Sequence, residues 1–347
     1  MIPPHILKAI CRNGTPEQRD WALATLSLDA TLRLARAEAT ASRAPARRSD
    51  PLAARRPGAL ERTILDAGGR SSVDGARVVR EEGDPPSSED VAVNEAYDGL
   101  GATHTFWWEA YTRDSIDDRG MPLTGVVHFG SRYDNAFWDG RRMVFGDGDG
   151  DLFNRFTIAV DIIGHELAHG VTEDEAALRY TGQSGALNES VSDVFGSLVK
   201  QHALGQTADQ ADWLIGAGLL TSRVKGRALR SMIEPGTAYD DPVLGKDPQP
   251  ATMDGYVTTA ADNGGVHVNS GIPNRAFALA ATELGGLAWE RAGRAWYDAL
   301  RSPDLRQTAG FSAFARLTLA AAEALDGRTG PVRRAVAGGW DAVGVRT

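Results

Sequence analysis

The chain has 347 residues, a net charge of −9 and a single cysteine. One thiol excludes intrachain disulfides, the acidic balance offers no basic face for a phosphate backbone, and no apolar run of about 18 residues is present to span a membrane. A chain this long buries a sizeable core and is expected to form two lobes behind an N-terminal segment.

Thr15-Pro16-Glu17-Gln18 reads as a helix start, with an N-cap, a proline at the first position and a glutamine completing a capping box. Trp21, Leu23, Leu26, Leu28, Leu32 and Leu34 supply the expected apolar face of that helix, which is broken off near Pro45. Residues 41–58 (ASRAPARRSDPLAARRPG) lack hydrophobic periodicity and read as an exposed, cleavable linker. Basic residues concentrate around 43–62, leaving the remainder more acidic.

Residues 60–155 look strand-rich, with Val78-Val79, 126–129 and 143–145 set between Gly and Asp clusters. A helix is expected over 91–113, its aromatics Tyr97, Phe106, Trp107 and Trp108 being core. The Asp147-Gly148-Asp149-Gly150-Asp151 run lacks the length and bidentate glutamate of an EF-hand loop and is better read as a turn. After residue 156 the pattern turns helical, with Ala-rich stretches at 273–301 and 311–326.

The chemistry concentrates in that second part. His165-Glu166-Leu167-Ala168-His169 places two histidines four residues apart, on one face of a helix whose apolar positions include Ile158, Ile162, Ile163, Leu167 and Val171. Both rings can reach one tetrahedral Zn²⁺, with Glu166 beside its open position. Glu189 and Asp193 follow as an i, i+4 pair on a second apparent helix, a ligand and an acceptor for a histidine N–H turned away from the metal. A His/His/Glu set leaves the fourth position to water, which is the pattern of a catalytic site. Asp262-Asn263-Gly264-Gly265-Val266-His267 adds a further carboxylate and histidine, its glycines favouring a preformed turn.

Asn135-Ala136-Phe137-Trp138, the HELAH helix, Gly185-Ala186-Leu187-Asn188-Glu189-Ser190, Arg230-Ser231-Met232 and the 262–272 segment occur together and in order over residues 60 to 345. In this the chain resembles the thermolysin-type zinc metallopeptidases, and in its front end the protealysin-like members that carry a short pro-segment. The resemblance implies an α+β fold, with a mainly β N-terminal lobe, a mainly α C-terminal lobe and the zinc helix between them. The implied domains are a pro-segment with its linker (1–58), a catalytic lobe including the HExxH helix (59–180) and a helical lobe (181–347).

It also implies a neutral endopeptidase that cuts extended polypeptides on the N-terminal side of hydrophobic residues. His165, His169 and Glu189 would hold one catalytic zinc ion, with Asp193 orienting His165. Glu166 would serve as general base and then general acid, and His267 and Tyr180 as donors to the developing oxyanion, with Asp262 orienting His267. Asn135 and Ala136 would hold substrate as an added strand, and Arg230 would grip the carbonyl beyond the cut. Phe153, Phe156, Ile162 and Leu229 would line a pocket suited to Leu, Ile or Val. Pro3 and Pro4 would block the cleft in a zymogen released by cleavage in the linker, making the pro-segment the enzyme's own first partner.

Two departures stand out. Asp161 and Asp212 match the family's double calcium site, but Lys200, Leu214 and Ala217 replace its other carboxylates, so calcium dependence is not implied; Lys200 is expected to pair with Asp161 in the ion's place. No secretory signal is visible at the start, which favours a cytoplasmic precursor, non-classical secretion being the alternative. Cys11 and His5 are read as ordinary structural residues. Polypeptide substrates are the expected partners, with a proteinaceous inhibitor left open and neither nucleic acid nor membrane expected. A zinc aminopeptidase and an idle zinc-bound interaction protein are the competing readings. The first lacks a Gly-x-Met-Glu-Asn motif and the second conflicts with the complete residue set.

Overall fold

Residues 2–42 and 56–347 are described in the computed structural model. They fall into two compact units, Met1–Ile158 and Ala159–Thr347. The first is built on one mixed sheet. Its strands are β1 (Arg62–Asp66), β2 (Arg77–Glu81), β3 (Leu123–Val127), β4 (Ala136–Trp138) and β5 (Met143–Phe145), in the spatial order β2-β1-β3-β5-β4. β1, β3 and β5 run parallel to one another, while β2 and β4 are antiparallel to their neighbours and form the two edges. Thus Ala136, expected on an edge strand, opens one, and Asn135 immediately precedes it.

Two N-terminal helices belong to the same unit, α1 (Pro4–Asn13) and α2 (Pro16–Ser42). The capping box at the start of α2 is present in both directions: Thr15 N–H donates to Gln18 Oε1 at 2.8 Å and Gln18 N–H to Thr15 Oγ1 at 3.3 Å. The expected apolar face of α2 is not the buried one. Leu23 is 54% exposed, Trp21, Leu26 and Leu28 are half-buried, and the buried positions among the described side chains are Gln18, Ala22, Thr25 and Asp29. These lie at i, i+4, i+7 and i+11, one helical stripe of small and polar residues whose hydrogen bonds add to the packing of Leu28 against the Val126, Phe129 and Tyr133 cluster. The side chains of Leu32 and Leu34, and the linker residues 43–55, lie outside the described residues.

Helix α3 (Val91–Tyr111) starts where Asp90 Oδ1 accepts from Val93 N–H and ends at a left-handed Thr112, two residues short of the expected span. Tyr97, Phe106 and Trp107 are core as expected, and Trp108 is half-buried. The 147–151 run is a turn: Asp149 Oδ1 accepts from the backbone N–H groups of Asp151, Leu152 and Phe153.

His128, in the left-handed region at φ 54°, ties this corner together. Its Nε2 lies 2.9 Å from Asp90 Oδ2 and its Nδ1 2.9 Å from Asp147 Oδ2. The hydrogen bond to Asp147, against burial and with help from Asp90, lifts its pKa to about 9. A group raised in the folded state stabilises fully below its unfolded value, near 6.5, and loses that contribution as pH rises through about 9. His128→Gln is therefore expected to lower Tm by a few degrees at pH 6, a gap that closes above about pH 10. A wild-type-minus-variant Tm difference that stays constant from pH 6 to 10 would refute the coupling.

The second unit is mainly helical: α4 (Val160–Glu175), α5 (Gly182–Leu204), α6 (Asp262–Asn269), α7 (Gly271–Leu284), α8 (Ala292–Leu300), α9 (Phe311–Asp326) and α10 (Pro331–Ala342). The Ala-rich 273–301 stretch is two helices, because left-handed Gly285 and Gly286 stop the first. Short strand pairs join β6 (Leu214–Ile215) to β7 (Arg230–Ser231), and Asp240–Asp241 to Gly245–Lys246. Trp296 stacks on Trp340 at 5.7 Å and meets Phe277 edge-on, anchoring α7, α8 and α10. Helices α4 and α5 pack on each other and fall in one unit. No helix among the described residues is long and apolar enough to cross a membrane.

Candidate active site

Residues Asp161 to Thr172 of α4 are buried without interruption, as are Ser184 to Gln201 of α5, so both helices run through the interior of their unit. They cross at two glycines. A Cβ on Gly196 would lie 2.4 Å from the Asp161 carbonyl oxygen, and one on Gly164 would lie 3.1 Å from Gly196 Cα. This close approach brings His165 and His169 from one helix against Glu189 and Asp193 from the other.

His165 Nδ1 is 2.8 Å from Asp193 Oδ1, and His169 Nδ1 is 2.7 Å from Asn188 Oδ1 and 3.0 Å from Ser192 Oγ. Oxygen acceptors at both Nδ1 atoms place the N–H there and leave the Nε2 lone pairs turned inward. The two Nε2 atoms are 3.1 Å apart, and Glu189 oxygens lie 3.6 Å from one and 3.5 Å from the other. Ligands at zinc distances on tetrahedral vertices are roughly 3.3 Å apart, so this set fits zinc. Two lone pairs and a carboxylate converging in a buried place need a cation between them. Glu166 Oε1 is 4.0 Å from His165 Nε2, farther than Glu189, and Glu166 is fully buried.

Asp193 is saturated. Besides His165 it receives Arg230 through Nε at 2.8 Å and Nη2 at 2.7 Å, and Asn274 Nδ2 at 2.8 Å. Burial would raise its pKa, but Arg230 and His165 outweigh this and hold it well below the usual carboxylate range. Arg230 is thus clamped by Asp193. Its Nη1 is buried with no hydrogen-bond partner among the described residues, leaving one donor for a ligand.

His267 sits in α6, where Asn263, Gly264 and Gly265 are all left-handed, with φ of 51°, 88° and 75°. The expected turn is therefore a kink inside a short helix. It lets Asp262 Oδ1 reach His267 Nδ1 at 2.8 Å while Oδ2 accepts His267 N–H at 3.0 Å. Burial lowers the ring's pKa, but Glu189 and Asp262 together raise it above the ordinary value. Tyr180 Oη donates to Glu189 Oε1 and lies 3.2 Å from His267 Nε2. Burial, and then Glu189, push the phenol well up and keep it a neutral donor. All the expected catalytic, metal and orienting residues, with Arg230, therefore gather in the second unit.

The remaining expected residues are buried but belong to different places. Asn135, Ala136, Phe153 and Phe156 are in the first unit, where the two phenylalanine rings are 6.2 Å apart. Ile162 and Leu229 are in the second, Leu229 beside β6 through its N–H to the Ile215 carbonyl at 3.0 Å. Pro3 and Pro4 are buried, as the N-cap and first residue of α1. The sequence reading gave no role to Asn188, Ser192 or Asn274. The signal for Asn188 was there: His169, like His165, needs an acceptor at its other nitrogen, and a polar residue adjoins Glu189. Lys200, also buried, spans Asp161 Oδ2 at 3.0 Å, Asp212 Oδ1 at 2.8 Å and the Leu214 carbonyl at 2.7 Å. Those carboxylates hold its pKa up against burial.

The site and fold define a zinc metalloprotease, and comparison with known proteins places it. The catalytic-domain model of the thermolysin metallopeptidases matches residues 62–173, and their alpha-helical domain model matches 176–345. The chain belongs to the thermolysin metallopeptidase family. An extracellular metalloprotease of Pectobacterium carotovorum subsp. carotovorum is 54% identical over 99% of this chain and 96% of its own length. Protease PrtS of Photorhabdus sp. (strain Az29) is 47% identical over 100% and 92%. The solved structure of the precursor of protealysin, a metalloproteinase from Serratia proteamaculans, is 54% identical, covers 99% of each chain and superposes with a TM-score of 0.89.

Proposed function

We propose that the chain is an endopeptidase that cuts polypeptides before hydrophobic residues and is made as a self-processing zymogen. The observation that carries this reading is the convergence of His165 Nε2, His169 Nε2 and Glu189 beside a fully buried Glu166. Zinc held there would supply Lewis acidity and a water acidified towards neutral pH. Glu166 takes the proton of the attacking water and delivers it to the leaving amine. Tyr180, neutral, and His267, whose protonated ring Asp262 favours, donate to the developing oxyanion. Arg230 offers Nη1 to the carbonyl beyond the cut, its other nitrogens fixed by Asp193.

Asn135 and Ala136 hold the substrate as an added strand on β4. Phe153 and Phe156 of the first unit, and Ile162 and Leu229 of the second, are each apolar residues suited to an aliphatic side chain after the cut and not to a charged one. A survey of cleavage sites dominated by Phe or Trp at that position would overturn the aliphatic preference. Pro3 and Pro4, rigid at the head of α1, act in the N-terminal segment's inhibitory role. Lys200 takes the place of a calcium ion, its ammonium neutralising Asp161 and Asp212.

The test follows the intact mass of purified full-length protein over hours, beside Glu166→Ala and a chelator-treated sample. Only the untreated wild type is expected to shorten, by a cut within residues 43–62. Equal shortening in all three would overturn self-processing. Peptide hydrolysis by the shortened chain, lost on chelation and restored by zinc, tests the enzyme itself.

A further inference from the structure

The last buried position of α2 among the described side chains is a carboxylate. Asp29 is 6% exposed, whereas Leu23 on the same helix is 54% exposed. A helix held by apolar burial alone would show the reverse, and a buried carboxylate is costly unless it is hydrogen-bonded. Asp29 is bonded at both oxygens: Oδ1 accepts from Tyr133 Oη at 2.5 Å and Oδ2 accepts from Asn135 Nδ2 at 2.8 Å. These partners stand more than a hundred positions away in the sequence and immediately before β4.

Both donors are set in place independently of Asp29. Tyr133 is edge-on to Phe129 at 5.4 Å and to Phe137 at 6.3 Å, which fixes its ring. The Asn135 side chain is oriented by its oxygen, which accepts Ala136 N–H and Ile2 N–H, each at 2.9 Å, so its NH₂ must face Asp29. Thr25, one turn earlier on the same stripe, accepts Asp134 N–H at 3.2 Å, and Gln18 donates to Asp151 Oδ2 at 2.7 Å. The segment thus engages the residues around the sheet of its own unit through directional contacts, of which the Asp29 pair, at a carboxylate, is the strongest in kind.

We propose that Tyr133 Oη and Asn135 Nδ2 form a carboxylate-binding site at the head of the edge strand, and that Asp29 of the N-terminal segment is its ligand. The bond sets the register of α2 on the sheet and keeps the Asn135 amide occupied from both sides, by Asp29 and by Ile2. Its regulatory consequence rests on the proposed function: a peptide that needs Asn135 finds it taken until the segment leaves.

The experiment uses the full chain carrying Glu166→Ala, so that self-cleavage cannot alter the sample. Thermal unfolding is compared for that parent, Asp29→Asn, Tyr133→Phe and the double variant. Asp29→Asn turns one oxygen into a donor that opposes a donor, and Tyr133→Phe deletes one donor while keeping the ring. Each single change is expected to lower Tm, and the double to fall no further than the worse single one. Additive losses overturn the proposal. Hydrogen exchange supplies a second readout: amides in residues 16–31 should exchange roughly tenfold faster or more in Asp29→Asn, with those of α5 unchanged. Equal exchange of 16–31 in parent and variant overturns it as well. Neither readout depends on catalysis, so an inactive zinc site leaves this result standing, and a failure here leaves the zinc chemistry untouched.

Discussion

Replacing Glu166 by glutamine is expected to lower kcat/KM for peptide hydrolysis by about 10³-fold or more, with one zinc still bound per chain. The two halves of that result come from one geometry. Glu166 is fully buried yet stands 4.0 Å from His165 Nε2, beyond the 3.6 Å at which Glu189 approaches the same atom. It borders the metal position without completing the ligand set, so its loss removes a proton acceptor and spares affinity. Glu189→Gln should do the opposite and weaken zinc retention, because a neutral amide replaces the charged ligand. Metal content by mass spectrometry together with steady-state kinetics separates the two. A Glu166→Gln enzyme keeping a tenth of wild-type activity would remove Glu166 from the proton-transfer role.

The second large effect is expected at Lys200, where Lys200→Met should cost about 3–5 kcal/mol and lower Tm by about 10 °C. Asp161 is the reason. It is 1% exposed, its Oδ2 accepts Gly216 N–H at 3.2 Å beside the lysine, and its Oδ1 has no hydrogen-bond partner among the described residues. Without the ammonium, that carboxylate stays buried and uncompensated. Lys200→Glu is expected to give the complementary result: Asp161, Asp212, the new carboxylate and the Leu214 carbonyl form an all-oxygen set suited to calcium. Its Tm should rise with added calcium, while that of the wild type should not. A wild-type Tm that follows calcium, or a Lys200→Met chain as stable as the parent, would refute the substitution of ammonium for ion.

What could be read in advance divides along a physical line. The two-histidine helix was legible because metal ligation demands particular donors at fixed helical spacing, and the approach of Glu189 and Asp193 to it because such a pair needs a third donor and an acceptor behind the ring. The capping box at Thr15 and the α3 start were legible because caps are local. The buried face of α2 was not: periodicity assumes that apolar residues go inside, and this helix turns Gln18, Thr25 and Asp29 inward to partners more than a hundred positions distant. Asn274 was hidden for a similar reason, since its contact with Asp193 joins residues 81 positions apart. Arg230 was read only for a role towards substrate, and its hold on Asp193 needed the fold.

The glycine crossing of α4 and α5 gives the metal position an unusual dependence. With no side chain between the backbones at Gly164 and Gly196, the gap between the histidine pair and Glu189 is a main-chain dimension. A change in it would move His165, His169 and Glu189 together with their helices. Zinc held by these three residues would therefore depend partly on two glycines that carry no donor atom. A side chain added at either glycine would disturb the metal position from a place that an inventory of ligands would never include.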